Sequence, residues 1–480
     1  MRAIYLTAVL FLCLLTVGCG GGSGGGGGVS DYSSGSSQSS LSTTTSTSTA
    51  TSGGTTTTSA TAVTETSHGA ATMKKVTACD GFYYHVTIDM TTGSPRRQIG
   101  RDFGNCIRDV CPQYTTALAT YLGSVKSAVN LSDETISSRI GDIKTGMDSD
   151  YVSEIDGLVD SLVADGETVQ VQHGPSMKVS DMIWTENLLP DVARTTCCST
   201  MAAWGAASKT GETIVHRNLD MYTGSGDGLA ALQQVVELKY SDHKVILMGT
   251  LGQLCCVTGI NSKTRVFSAL IDSTVEKTTY SSSGCRSYAF DLRKAMEDQA
   301  SAGAVANYMI DSSKKYAVSH AITIADTGSA LQVENCMATK NGSNYRRAIR
   351  YSDSTLQSGV TWSYSTTIAS VNAFLLEGQP DSCTGQKYNS ERWKLMTSLL
   401  DKKGAPDTKL SMADLRDIMS SYWSQNPGPF ALSGDLYNDW TIEMINYIPA
   451  ENLLQVWFRG QNSWPSKSTV QNQFVTIPIN

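Results

Sequence analysis

Three residues on the two arms of one turn carry the densest chemistry in this chain of 480 residues. Cys198 opens one arm, and Arg217 and Asp220 lie in the other. Small and apolar residues run from Ser199 to Ala207. Ser208-Lys209-Thr210-Gly211 supplies turn chemistry, with Gly211 able to take φ > 0. Thr213-Ile214-Val215 then resumes a β-branched run. With the turn centred near Thr210, antiparallel pairing lays residues 217–222 beside residues 198–203. A thiol then meets a guanidinium and a carboxylate. A nearby cation favours the reactive thiolate. A carboxylate can orient an arginine or an amine through charge-assisted hydrogen bonds. Taken singly, a Cys-Cys dipeptide is more often structural, and an Arg/Asp pair is as readily a surface ion pair. Their delivery to one end of one hairpin favours a nucleophilic site.

Other chemistries leave little trace. No Gly-x-Gly-x-x-Gly follows a strand, and neither a phosphate-binding loop nor His-Glu-x-x-His occurs. Cys106 and Cys111 lack zinc-ribbon spacing. The six histidines, His68, His85, His173, His216, His243 and His320, form no ligand or triad spacing, and His216 reads as a strand residue. Net charge is −7 with basic residues scattered, so no stripe invites nucleic acid. No cofactor is expected.

The chain must position that hairpin from about 400 residues, enough for one large domain or two close-packed ones. Residues 1–18 read as an export signal: Arg2, an apolar core from Ala3 to Val17, then Gly18. Cys19 after Leu15-Thr16-Val17-Gly18 resembles a bacterial lipobox, with Thr16 where Leu is usual. Lipidation of Cys19 would make the protein a membrane-anchored lipoprotein of the bacterial envelope; ordinary secretion is the alternative. Residues 19–73 are rich in Gly, Ser and Thr, too poor in large apolar side chains to offset ordering entropy. Such a linker reaches roughly 40 Å. Ten cysteines beyond the targeting segment fit an exported protein better than a reduced cytosolic one.

Structured sequence is expected from near Lys74. Phe82 to Ile88 reads as a strand, followed by helices over 96–122, 132–147, 152–163 and 178–189. Beyond Cys198 the strand signal dominates, at 232–240, 245–251, 265–271, 321–324, 330–333 and 454–459. Helices are expected over 286–299, 304–312, 392–400 and 412–422. Helices, strands, helices, strands in that order argue for α+β layers rather than a parallel βαβ sheet.

Cys198-Ser199, Trp204-Gly205, Gly211 and Arg217-Asn218-Leu219-Asp220 are in register with a known signature over 23 residues. The pattern resembles the acyl-coenzyme A:6-aminopenicillanate (isopenicillin N) acyltransferase-like family of N-terminal-nucleophile cysteine hydrolases. That family is related to choloylglycine hydrolases and acid ceramidases. Ser199 after Cys198 selects that cysteine over Cys197. Weaker likenesses run through Gly100 to Gly104, Ser180 to Asn187, Thr258 to Asn261, and Ala325 to Glu334. Val371-Asn372-Ala373-Phe374 resembles the family segment whose Asn donates to the oxyanion, with Val371 and Ala373 as departures. Asn389-Ser390-Glu391-Arg392-Trp393 resembles the helix start that supplies a site arginine, here with the Ser-to-Arg spacing one residue shorter.

The resemblance implies a four-layer αββα sandwich over 198–480, preceded by a helical segment over 74–197. It also implies self-cleavage between Cys197 and Cys198, freeing an α-amine as general base. Such an amine titrates at roughly 7.7–8.0, so no histidine is needed. The implied catalytic set is Cys198, Arg217, Asp220, Asn372 and Arg392. The implied activity is amidohydrolysis of a small linear amide or short peptide. Acyl transfer from the same acyl-enzyme, a non-catalytic binding protein on this fold, and a histidine-dependent cysteine protease are the alternatives.

Overall fold

The computed structural model describes residues 61–479 apart from 164–167, 170–176, 194–197, 274–280, 338–345, 381–382, 385 and 423–433. The signal segment, Cys19 and most of the expected linker lie outside the described residues. The chain opens with strands β1 (Thr61–His68), β2 (Ala71–Ala78) and β3 (Gly81–Asp89). Helices α1 (Arg96–Val110), α2 (Tyr114–Val129), α3 (Asp133–Lys144) and α4 (Ser149–Leu162) follow. A short hairpin, β4 (Thr168–Val169) and β5 (Met177–Lys178), leads to α5 (Val179–Asn187) and α6 (Leu189–Val192).

The second part begins with β6 (Ser199–Ala203), β7 (Ile214–Asp220), β8 (Gln233–Lys239), β9 (Lys244–Thr250), β10 (Thr258–Asn261) and β11 (Phe267–Asp272). Helices α7 (Tyr288–Asp298) and α8 (Ala302–Ile310) precede β12 (His320–Ala325), β13 (Ala330–Asn335), β14 (Arg347–Arg350) and β15 (Thr367–Ser370). Then come α9 (Lys387–Lys402), α10 (Met412–Met419), β16 (Thr441–Ile448), β17 (Leu453–Phe458), α11 (Lys467–Asn472) and β18 (Val475–Ile477).

Two sheets stack face to face. One has ten strands in the order β1-β2-β3-β8-β9-β10-β11-β12-β13-β14; the other has six, β15-β6-β7-β16-β17-β18. Alternation along each strand sends one set of side chains between the sheets and the other toward helices. Val235, Ile246 and Phe267 of the large sheet meet Val215, Ile445 and Val456 of the small one. Tyr83 stacks on Phe458 across this layer with ring centroids 4.3 Å apart, worth about 0.5–1.5 kcal/mol beyond area burial. The opposite face of the large sheet, with Val86, Leu247 and Ile322, packs on Phe103, Leu118, Leu158 and Met296 of the helices. Met201 and Ile214 of the small sheet pack on Trp393, Met396 and Leu415. The architecture is therefore the four-layer αββα sandwich, of class α+β.

Two expectations about the N-terminal segment need correcting. The stretch expected to be linker up to residue 73 already contains β1 and the start of β2. β-Branched residues, Thr64, Thr66, Thr72 and Val76 among them, favour extended backbone despite low hydropathy, and Met73 and Val76 bury one edge into the cores. The segment before Cys198 also holds more strand than the one expected over Phe82 to Ile88, since it contributes three strands to the large sheet. The helix expected over 96–122 is two helices. Cys111 precedes Pro112, which disfavours helical backbone there, and Cys111 sits at φ −132° and ψ 67°. Glycines let α1 and α4 cross backbone to backbone. A Cβ on Gly100 would stand 1.9 Å from the Glu154 carbonyl oxygen, and one on Gly157 1.9 Å from that of Arg97.

β3 and β8 pair in parallel from Tyr84↔Gln234 to Asp89↔Lys239, joining the parts before and after Cys198 through the middle of one sheet. A cut at 197/198 would therefore leave two chains in one fold. Cleaved protein should run as a single species on size exclusion and as two fragments on a denaturing gel. Release of the N-terminal fragment without denaturant would contradict this topology.

Candidate active site

β6 and β7 are neighbours in the small sheet, with Ser199↔Asn218 and Thr200↔Arg217 in register. The pairing is slightly displaced from the expected one because Gly205–Ala207 takes up chain as a 3₁₀ turn, with Gly205 at φ +52°. Thr200, Ala202, Val215 and Arg217 share the face toward the large sheet, and Cys198 enters that layer just before β6.

Arg217 is wholly buried and spans the gap between the sheets. Its Nη1 donates to the Val257 carbonyl and the Thr258 hydroxyl of the large sheet. Its Nη2 donates to the Leu270 carbonyl at 2.7 Å and faces the Cys198 sulfur at 3.2 Å. Thr258 opens the Thr-Gly-Ile-Asn stretch noted in the sequence, so that motif serves to anchor the site cation. The sulfur also lies 3.8 Å from the Asp220 carbonyl oxygen. Burial pushes the Cys198 thiol up, and Arg217 pulls it back toward the thiolate.

The Asp220 carboxylate accepts from the Thr441 hydroxyl at 2.6 Å and from Asn438 Nδ2 at 3.2 Å. Burial raises it to about 6 against the pull of Thr441, Arg392, Asn438 and Arg217. Arg392 comes from α9. Its Nη1 donates to the Cys198 carbonyl at 3.1 Å, and its Nη2 to Asn372 Oδ1 at 2.7 Å and Asn389 Oδ1 at 2.9 Å. The guanidinium also stacks 4.0 Å over the ring of Tyr388. Asn372 Nδ2 donates to the Asp272 carbonyl at 2.8 Å, and Asn389 Nδ2 holds the Asn372 carbonyl at 3.0 Å.

Of the other residues singled out from sequence, Arg217 and Arg392 contact Cys198 directly, Asp220 lies beside the sulfur through its backbone carbonyl, and Asn372 joins through Arg392, while Cys197 lies outside the described residues. Sequence reasoning missed Thr258, Asn389, Asn438 and Thr441. Asn389 had a signal: three residues before Arg392 on one helix, it must share its face. Thr441 and Asn438 had none, because their role depends on β16 pairing with β7.

Histidine is engaged elsewhere. His216 points away from the sulfur and contacts Asn218 and Asn446, and burial lowers it to about 4. His320 contacts Asn335 and the Val318 carbonyl, lowered by burial to about 3. His68, His85 and His243 face Asp109, Glu237 and Asp242. His173 lies outside the described residues. No histidine among the described residues contacts Cys198. Among them, too, no helix is long and apolar enough to cross a membrane.

No family model matches the chain, and no curated protein matches it. Solved structures do show likeness. One is the N-acylethanolamine-hydrolyzing acid amidase ortholog of Caenorhabditis elegans, 11% identical, covering 58% of this chain and 100% of that one with a TM-score of 0.37. A second is a mutant of the conjugated bile acid hydrolase of Clostridium perfringens, 12% identical over 59% of this chain and 97% of its own, TM-score 0.35. A third is the penicillin V acylase of Agrobacterium tumefaciens, 10% identical over 54% and 83%, TM-score 0.29.

Two measurements check the site's energetics, both in a Cys198→Ala chain so that no cleavage of the kind the resemblance implies can intervene. Thr441→Val leaves a buried carboxylate oxygen without its donor and should cost about 1–3 kcal/mol in urea unfolding. The pH dependence follows from the buried carboxyls. Asp220, Asp439 and Glu186 are raised to about 6, 7 and 8, each chiefly by burial. They stay protonated in the fold where the unfolded chain is already ionised, so stability falls as pH rises through that range. His216 and His320 act oppositely, costing stability below their unfolded value of about 6.5. The melting temperature should therefore decline between about pH 6.5 and about pH 8; a rise over that interval would contradict the burial described.

Proposed function

We propose that this chain is an exported amidohydrolase that opens a linear amide, non-peptide or in a small peptide, through Cys198 as a self-exposed N-terminal residue. The observation that supports this most is a double hold on one residue. The Cys198 sulfur faces Arg217 at 3.2 Å while its own carbonyl is held at 3.1 Å by Arg392, whose other nitrogen grips Asn372.

In the maturation step the Cys198 thiolate adds to the Cys197 carbonyl carbon. The bond from that carbon to the Cys198 nitrogen breaks as the nitrogen takes up a proton, leaving a thioester. Water then hydrolyses the thioester, giving a Cys197 carboxylate, a free thiol and a free α-amine. In turnover that amine takes the thiol proton as sulfur attacks the substrate carbonyl, and returns it to the leaving amine. A second cycle with water releases the acid. Arg217 stabilises the thiolate, Asp220 and Arg392 orient the new terminus, and Asn372 with a backbone N–H receives the oxyanion.

Water is favoured over an amine acceptor because acyl-coenzyme A is scarce outside the cell. Export itself rests on residues 1–18, and anchoring through Cys19 on the lipobox likeness. The test is a screen of N-acyl amino acids, small peptides and β-lactam side-chain amides with wild type and Cys198→Ala. Turnover by wild type alone is expected, and equal turnover by both would sink the reading. On whichever amide is cleaved, Asn372→Ala should lower kcat by about 10²–10³ with little change in KM.

A further inference from the structure

Beside Arg217 lies a buried acid that the mechanism above does not use. Glu443 is on β16, whose Ile445 and Tyr447 belong to the layer between the sheets, and the period of two puts Glu443 on that same face. β16 pairs with β7 so that Ile445 stands opposite Arg217 and Glu443 opposite Leu219. Arg217 and Glu443 are therefore diagonal neighbours on one face, a relation within reach of long side chains. Both are completely buried.

Each also has an unmet valence. Among the described residues, neither carboxylate oxygen of Glu443 has a hydrogen-bond partner, and neither has Nε of Arg217. The other two nitrogens of Arg217 are committed to the large sheet and to the sulfur. Phe458, opposite Glu443 on β17, is apolar, so that side offers no charge. Among the described residues Arg217 is the one charged group that acts on Glu443; burial raises the carboxyl to about 8 and Arg217 opposes the rise. A carboxylate in such a place is costly unless it finds a cation.

We propose that Glu443 is a positioning residue that acts through Arg217. Neutral, it leaves the guanidinium on the Cys198 sulfur; ionised, it takes the unused Nε–H and weakens that hold on the thiolate. The inference rests on reading Cys198 as the nucleophile. Loss of a proton from Glu443 would then oppose reactivity on the alkaline side, the reverse of the usual gain as a thiol ionises. An acid that merely fills the interior would affect stability but leave the pH dependence of the thiol unmoved.

The experiment uses the mature protein as wild type and as Glu443→Gln, which keeps the shape without the charge. Alkylation of Cys198 by iodoacetamide is followed by intact mass of the C-terminal fragment from about pH 6 to about pH 9, alongside kcat and KM on the cleaved amide. The ratio of variant to wild-type alkylation rate should climb several-fold across that range, with kcat following and KM unmoved. Glu443→Met gives the same readout should the Gln variant fail to fold. A ratio constant with pH, or a change confined to KM, would overturn the role of Glu443. That result alongside an inactive Cys198→Ala protein leaves the nucleophile standing, whereas an active Cys198→Ala protein removes the nucleophile itself.

Discussion

A fully buried guanidinium holds this molecule's two sheets and the Cys198 sulfur in one arrangement. Arg217 leaves β7, crosses the layer between the sheets and ends on Val257, Thr258 and Leu270 of the opposite sheet, with Cys198 beside it. Taking such a charge out of water costs several kcal/mol unless carbonyls, hydroxyls or anions replace the lost hydration. The carbonyls fix its position, and the remaining positive field falls on the sulfur. Any change in sheet separation would strip the arginine of its acceptors, so the stacking of the sandwich and the setting of the Cys198 thiol are one problem.

A second arginine works from the other side. Arg392 binds the Cys198 carbonyl and the Asn372 amide with adjacent nitrogens, a fork geometry that lysine could not reproduce. Asn389 closes the loop by holding both Arg392 and Asn372. Cys198 is thus held from both faces of the small sheet, by Arg217 of β7 within the sandwich and by Arg392 of α9 outside it. Cys198 is also wholly buried, and burial pushes its thiol up.

How much of this could be read from sequence follows from where each interaction is encoded. The hairpin was legible because its alternation, turn and polar residues lie within one short stretch. Asn372 and Arg392, far along the chain, were reachable only through family resemblance. Thr441, Asn438 and Glu443 stayed hidden. The strand Thr441–Ile448 carries Glu443 and Asn446 among its apolar residues, which blurs the pattern of a buried strand. Only pairing with β7 gives those polar residues partners or neighbours. The early strands β1 and β2 were masked in the same way, by threonine-rich composition that reads as linker until its edge is buried against the neighbouring strand.

The central claim is that the working nucleophile is also a chain terminus. N-terminal sequencing of protein purified in its active form tests this most directly. The account predicts a chain beginning Cys-Ser-Thr-Met, the residues from Cys198 to Met201. Active protein in which position 198 remains joined to position 197 would contradict it.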